Sequence, residues 1–189
     1  MVHSHIIYRT TRALVSIVFL GALACSDSAG PETRGSVAFT YTGAGGGNFS
    51  VSGDAAFTTG TSWAAGFVQT GETHVGASNP RSSPLVDLAI LRVERTIPGP
   101  ESIDPACNID GGTSCTGMDF YLNFNGDGDT RDFGCALTSG TIVLTELSSS
   151  RAKGTFSGTG SCVPGGGGTP SDFSVSNGTF DVALVAPPG

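Results

Sequence analysis

Apolar positions recur every second residue along most of this chain, and no window sustains them at helical spacing. In "SVAFTYT", Val37, Phe39 and Tyr41 fall on one face, while Ser36, Ala38, Thr40 and Thr42 fall on the other. "AGGG" interrupts that alternation, and "NFSVSG" resumes it with Phe49 and Val51 together, which predicts a hairpin. "SWAAGFVQT" and "ETHVGAS" form a second candidate pair around Gly71. "LVDLAILRV", Leu85 to Val93, is apolar on both faces and reads as a central strand. A strand-poor loop is expected from "TIPGPESIDPAC" to about Gly117, and "MDFYLNF" is the next strand.

The clearest hairpin is "SGTIVLTEL" and "RAKGTFSGTG" around "SSS". "DFSVSNGTFDVALV" closes the domain, with Phe173 and Val175 in one phase and Phe180, Val182 and Leu184 in the other. That change of phase requires a bulge or turn at "SNG". "FSVS" and "GTF" each occur twice, at spacing too uneven for a solenoid. The sum is an all-β fold of about eight to ten short strands, an antiparallel β-sandwich or barrel-like sheet. Its expected core is Val37, Phe39, Phe49, Val51, Phe67, Leu88, Ile90, Phe120, Ile142, Leu144, Phe156, Phe173, Phe180 and Val182.

The front of the chain follows different rules. Arg9 and Arg12 precede a short apolar run, "ALVSIVFLGALA", too short for a membrane-spanning helix of roughly 20 residues. Cys25 and the polar "SDSAGPETRG" follow. A basic start, an apolar run and a small residue at the cut make a signal peptide. "LACSDS" resembles the lipobox of bacterial lipoproteins, which implies cleavage after Ala24, lipidation of Cys25 and anchoring by acyl chains. Ser26 after the cysteine implies sorting to the outer membrane, on its periplasmic or surface-exposed face. The expected organisation is therefore a leader over 1–24, a flexible tether over 25–35 and a single β domain over 36–186.

Charge and cysteine content narrow the partners. Without the leader, seven basic residues stand against sixteen acids, a formal charge of −9. Such a surface repels phosphate and disfavours nucleic acid. Four cysteines remain beyond Cys25, an even number suited to two disulfides in an exported protein. If the hairpin tip lies near Ser148 and Ser149, Cys135 faces Cys162, which leaves Cys107 to pair with Cys115. In the chain-entropy model such bridges contribute about 3.5 and about 2.5 kcal/mol. Zinc is disfavoured because there is no CxxC pair and His74 is the only histidine beyond the leader.

"CALTSGTIVLTELSSSRAKGTFSGTGSC" followed by "VSNGTFDVAL" resembles the C-terminal half of small uncharacterised bacterial surface lipoproteins, which combine a lipobox with a "GTFSG" strand and a final "NGTFDV" strand. The resemblance implies a lipid-anchored β domain and brings no activity.

One stretch carries candidate chemistry. "NFNGDGDTRDF" places Asn123, Asn125, Asp127 and Asp129 at the alternating positions of a calcium loop, with Gly128 at its sixth place. Position 12 is Gly134, so Asp132 would have to supply the closing carboxylate by another backbone path, and no helix follows. Asn-Gly and Asp-Gly are also strong hairpin signals, so a plain turn explains the same letters. Calcium is the only cofactor the sequence raises. No catalytic residue stands out, since His74 has no nucleophile at a recognisable spacing and there is no G-x-S-x-G. Trp63, Tyr41 and Tyr121 could form a sugar-binding platform, although large aromatics in such folds are more often core. The expected role is binding or scaffolding at the envelope, with a protein or glycan as partner. A carbohydrate- or peptide-directed hydrolase and a calcium-stabilised structural module are the alternatives.

Overall fold

The structure is a computed structural model that describes residues 34–55, 60–82, 85–107, 114–125 and 127–187. The expected leader and Cys25 lie outside the described residues. Ten strands follow in chain order: β1 (Arg34–Thr42), β2 (Gly47–Asp54), β3 (Trp63–Gln69), β4 (Glu72–Ser82), β5 (Leu85–Val93), β6 (Gly99–Ser102), β7 (Gly117–Phe124), β8 (Phe133–Leu147), β9 (Arg151–Pro164) and β10 (Ser171–Leu184). β1 therefore takes in Arg34 and Gly35, which the sequence placed in the tether.

Neighbours follow the order β8-β7-β5-β4-β3-β2-β1-β10-β9, and β9 pairs back to β8, so nine strands close into a barrel. Closure removes the exposed edges that an open sheet would present. β6 is the extra strand. It falls within the stretch expected to be strand-poor, and it extends the edge of β8 beyond the segment that β7 covers. Most seams are antiparallel, including β3 with β4, but β3 runs parallel to β2, which it meets at Asp54↔Trp63, and to β10, which it meets at Ala183↔Ala65.

Two sets of glycines make this closure possible. Gly35 and Gly53 face each other across β1 and β2. A methyl on Gly35 would fall on the Ala64 carbonyl, and one on Gly53 would fall on the Ser62 carbonyl. Their bare α-carbons form the slot in which β3 lies against the β1–β2 pair. The second set explains the repeated "GTF". Gly154 pairs with Phe180, and Gly178 pairs with Phe156, so the two tripeptides lie antiparallel. A methyl on either glycine would strike the ring of the opposing phenylalanine. Each glycine thus gives up its side-chain space to the other strand's ring, an arrangement in which aromatics cover glycine backbone.

The interior is filled by side chains. Phe39 stacks on Phe49 with ring centroids 4.9 Å apart and meets Phe120 edge-on at 5.1 Å. Tyr41, Phe156 and Phe173 complete the cluster, with Val37, Leu91, Ile142, Leu144 and Val182 around it. Such aromatic contacts add roughly 0.5–1.5 kcal/mol per pair beyond area burial. Of the expected core, Phe67, Leu88 and Ile90 are only half-buried and lie on the outer face. In β5 the inward phase belongs to Asp87, Ala89, Leu91 and Val93. With apolar residues in both phases, alternation could not say which side faced in.

Both disulfides form as expected, Cys107–Cys115 and Cys135–Cys162. The route to the second differs from the simple register. The β8–β9 tip is held by Ser148 and Arg151, with the Ser148 amide donating to the Arg151 carbonyl at 2.9 Å, and Leu147 faces Ala152. From that tip an unbroken ladder would miss the Cys135–Cys162 pairing. Bulges at Leu137/Ser139 and Leu144/Glu146 shift the register back and bring the two Cα atoms to 3.9 Å. The bulge expected at "SNG" is present between Val175 and Gly178, with Asn177 at φ 54°.

The two ends of the barrel differ. β1 begins, and β10 finishes, at one end, where the Leu184 amide donates to the Ser150 carbonyl and the Val185 amide to the Gly66 carbonyl. The β1–β2, β7–β8 and β9–β10 connections gather at the opposite, distal end.

Candidate functional site

The candidate calcium stretch is the β7–β8 connection at the distal end, and its local hydrogen bonds explain its path. The Asn125 Oδ1 accepts from the Asp127 amide at 2.9 Å, Asp127 Oδ1 from the Asp129 amide at 2.9 Å, and Asp129 Oδ1 from the Arg131 amide at 3.0 Å. Each short polar side chain thus bonds the backbone two residues on, the turn preference of Asn and Asp. The Asp132 amide then donates to the Asp129 carbonyl at 2.9 Å. The Arg131 guanidinium grips Asp129, with Nε at 2.8 Å from Oδ2. That pairing lowers the Asp129 pKa to about 2, even though the group is solvated.

The five sequence-nominated residues have different environments. Asn123 occupies the β7 side of a register shift at φ 54°, where its amide donates to buried Asp87 Oδ1 at 3.0 Å. Its side-chain Nδ2 donates to the Arg131 carbonyl at 3.3 Å. Asn125 Nδ2 donates to Asp127 Oδ2 at 2.8 Å. Asp127 is exposed and Asp129 half-exposed. Asp132 is 3% exposed, and neither carboxylate oxygen has a hydrogen-bond partner. Among the described residues no group of three or more acidic, histidine or cysteine side chains is placed to share one metal ion.

Asp132 is covered by the β9–β10 connection. Gly165 donates its amide to the Asp132 carbonyl at 2.6 Å. Beside this contact lies a cavity of about 440 Å³ walled by Tyr121, Phe124, Phe133, Val163 and Pro164, with Asp132 at its margin. Phe124 and Val163 are 43% and 44% exposed, two of only four large apolar side chains so open among the described residues. An apolar recess with exposed aromatic walls is the ordinary form of a docking site.

A second polar cluster lies on the outer face of β4 and β5 and joins side chains that are distant in sequence. His74 is stacked flat on Phe67 at 4.5 Å, and its Nε2 lies 3.1 Å from Glu72 Oε2. Arg92, directly across from His74, brings its Nε to 3.7 Å from the same oxygen. Glu72, 5% exposed, also accepts from Ser114 Oγ at 2.6 Å and from the Cys115 amide at 3.1 Å. The Cys107–Cys115 bridge therefore ends on a buried carboxylate. Burial raises the Glu72 pKa, but the Ser114 hydrogen bond, Arg92, the Cys115 amide and His74 together bring it below its ordinary value. Burial lowers the His74 pKa; Glu72 opposes that change and Arg92 reinforces it.

This is not the order of a hydrolase triad. The carboxylate stands between the hydroxyl and the imidazole, whereas a nucleophilic serine must bond the base directly. The only spacing cue was Glu72 and His74 two apart on one strand face. Tyr41 is inside the barrel, so it cannot share a surface platform with Trp63 and Tyr121. No family model, curated protein or solved structure matches this chain.

Proposed function

We propose that this chain is a lipid-anchored, exported binding or scaffolding module of the bacterial cell envelope, held through Cys25 and presenting its distal end to a protein or glycan partner. The observation that supports this reading most is the polarity of the barrel. The tether joins β1 at one end, while the Phe124–Val163 recess lies at the other. Nine residues from Cys25 reach about 30 Å when fully extended, which keeps the domain close to the bilayer while its far end stays free. Half-exposed Val68 lines a recess toward the tethered end with Leu184 and Val185, and exposed Ile97 follows Thr96 of the same recess, so both can face headgroups. The two disulfides suit an oxidising compartment. Tethering raises local concentration, so a modest recess suffices for binding.

Metabolic labelling with a fatty acid, followed by membrane fractionation, tests the anchor. The native chain is expected to carry label and sediment with membranes, and Cys25→Ala to lose both. Label retained by Cys25→Ala contradicts the reading. Phe124→Ser with Val163→Ser is expected to leave the anchor intact and abolish partner crosslinking at the distal end.

A further inference from the structure

Among the described residues, Asp132 is the least explained side chain. Its carboxylate is closed off from water, and both oxygens lack a donor. A charge buried without a partner is strongly unfavourable. The neighbouring Arg131 feels the Asp132 charge at a distance, but its guanidinium is 73% exposed, bonds Asp129 and donates no hydrogen bond to Asp132. Lys153 is likewise engaged elsewhere, with Glu146 and Asp181.

Main-chain oxygens, by contrast, face the same seam. A Cβ on Gly165 would lie 2.8 Å from Asp132 Cβ and 3.0 Å from the Asp129 carbonyl oxygen, and one on Gly166 would lie 2.9 Å from the Gly128 carbonyl oxygen. The β7–β8 carbonyls therefore approach a glycine segment closely enough to exclude any side chain. An anionic pair of oxygens, shut off from water and beside backbone carbonyls, suits a hard cation that takes oxygen ligands at short range.

We infer that Asp132 anchors a calcium site at the seam between the β7–β8 and β9–β10 connections, with main-chain oxygens of Gly128, Asp129 and Gly165 as ligands and water entering from the adjoining recess, which Gly128, Asp132 and Gly165 also line, completing the shell. This set differs from the alternating side-chain pattern read in the sequence. Asn123 is not part of it, because its amide nitrogen faces the Arg131 carbonyl. Calcium is favoured over magnesium, which demands tighter octahedral geometry and holds its water. The site is independent of the lipid anchor.

Calorimetry on the purified full chain tests it, with calcium chloride, magnesium chloride or chelator. At calcium a hundredfold above Kd the melting temperature is expected to rise by roughly 5–10 °C. Magnesium is expected to give less. Asp132→Asn removes the charge while keeping the shape, and is expected to abolish both the rise and the heat of binding. Gly165→Ala, which pushes the seam apart, is expected to weaken binding at least tenfold. An unchanged native melting temperature up to about 10 mM calcium, above the range of weak extracellular sites, overturns the inference. So does a full calcium response in Asp132→Asn, or, if that variant does not fold, in Gly165→Ala.

Discussion

The reciprocal glycine and phenylalanine pairing between β9 and β10 makes a sharp quantitative prediction. In Gly154→Ala the new methyl meets the Phe180 ring and the Val143 carbonyl. Phe180 is 2% exposed and hemmed in, and the Val143 oxygen belongs to the β8–β9 ladder, so neither can yield freely. Overpacking of this kind costs about 1–3 kcal/mol. Losing a glycine from the unfolded chain returns about 0.4–1 kcal/mol. The net expectation is a destabilisation of about 1–2 kcal/mol, a fall in melting temperature of roughly 2–8 °C. Gly134→Ala is the control, because its methyl would meet only Tyr121, at an ordinary 3.8 Å. That variant should be neutral or slightly stabilised. The assay is urea unfolding of both variants followed by circular dichroism, with Gly154→Ala/Phe180→Leu completing the cycle. The smaller side chain should recover part of the loss. Equal midpoints for Gly154→Ala and Gly134→Ala would refute the argument, as would strict additivity in the double variant.

Two other consequences concern the outer-face cluster. His74 has a folded pKa below its ordinary 6.5, and Glu72 one below its ordinary 4.5. The unfolded chain therefore binds protons first on acidification, and stability that is complete above about pH 6.5 falls in two stages, through the histidine range and then below pH 4.5. Denaturant midpoints across pH 3–8 check this, and a midpoint that rises on acidification would contradict it. Replacing Cys107 and Cys115 with serine should cost about 2.5 kcal/mol in the chain-entropy model, and should let the His74 titration, followed by NMR, move back toward 6.5 as Ser114 leaves Glu72. An unchanged titration would show that the loop holds its place without the bridge.

The legible parts of the fold were those written as local alternation. Val37, Phe39, Phe49 and Val51 announced their inward faces, and "SNG" announced its bulge, because period two leaves no choice of side. β5 defeated the method for the opposite reason, since Leu88 and Ile90 alternate as convincingly as Ala89 and Leu91. β6 escaped because four residues containing a proline carry too little periodicity to register. Cys135 and Cys162 were paired correctly from a tip placed slightly too early, and the two β8 bulges compensated. The chemistry was harder to read. Glu72, His74, Arg92 and Ser114 are distant in sequence and meet only through the β4–β5 register and the cystine-closed loop. In the acidic stretch, spacing favoured Asn123, Asn125, Asp127 and Asp129 and left Asp132 out of place. Backbone turns engage Asn125, Asp127 and Asp129, whereas Asp132 turns inward, a distinction that depends on the covering glycine segment.

The central claim is an exported barrel cross-linked by two internal bridges and carried on lipid at Cys25. Intact mass spectrometry of the chain purified from membranes, with peptide mapping, tests it most directly. The account predicts a polypeptide beginning at Cys25 with added acyl mass, four hydrogens lighter than the reduced form, and with Cys107 joined to Cys115 and Cys135 to Cys162. An unprocessed chain starting at Met1, unmodified and with free thiols, would contradict it.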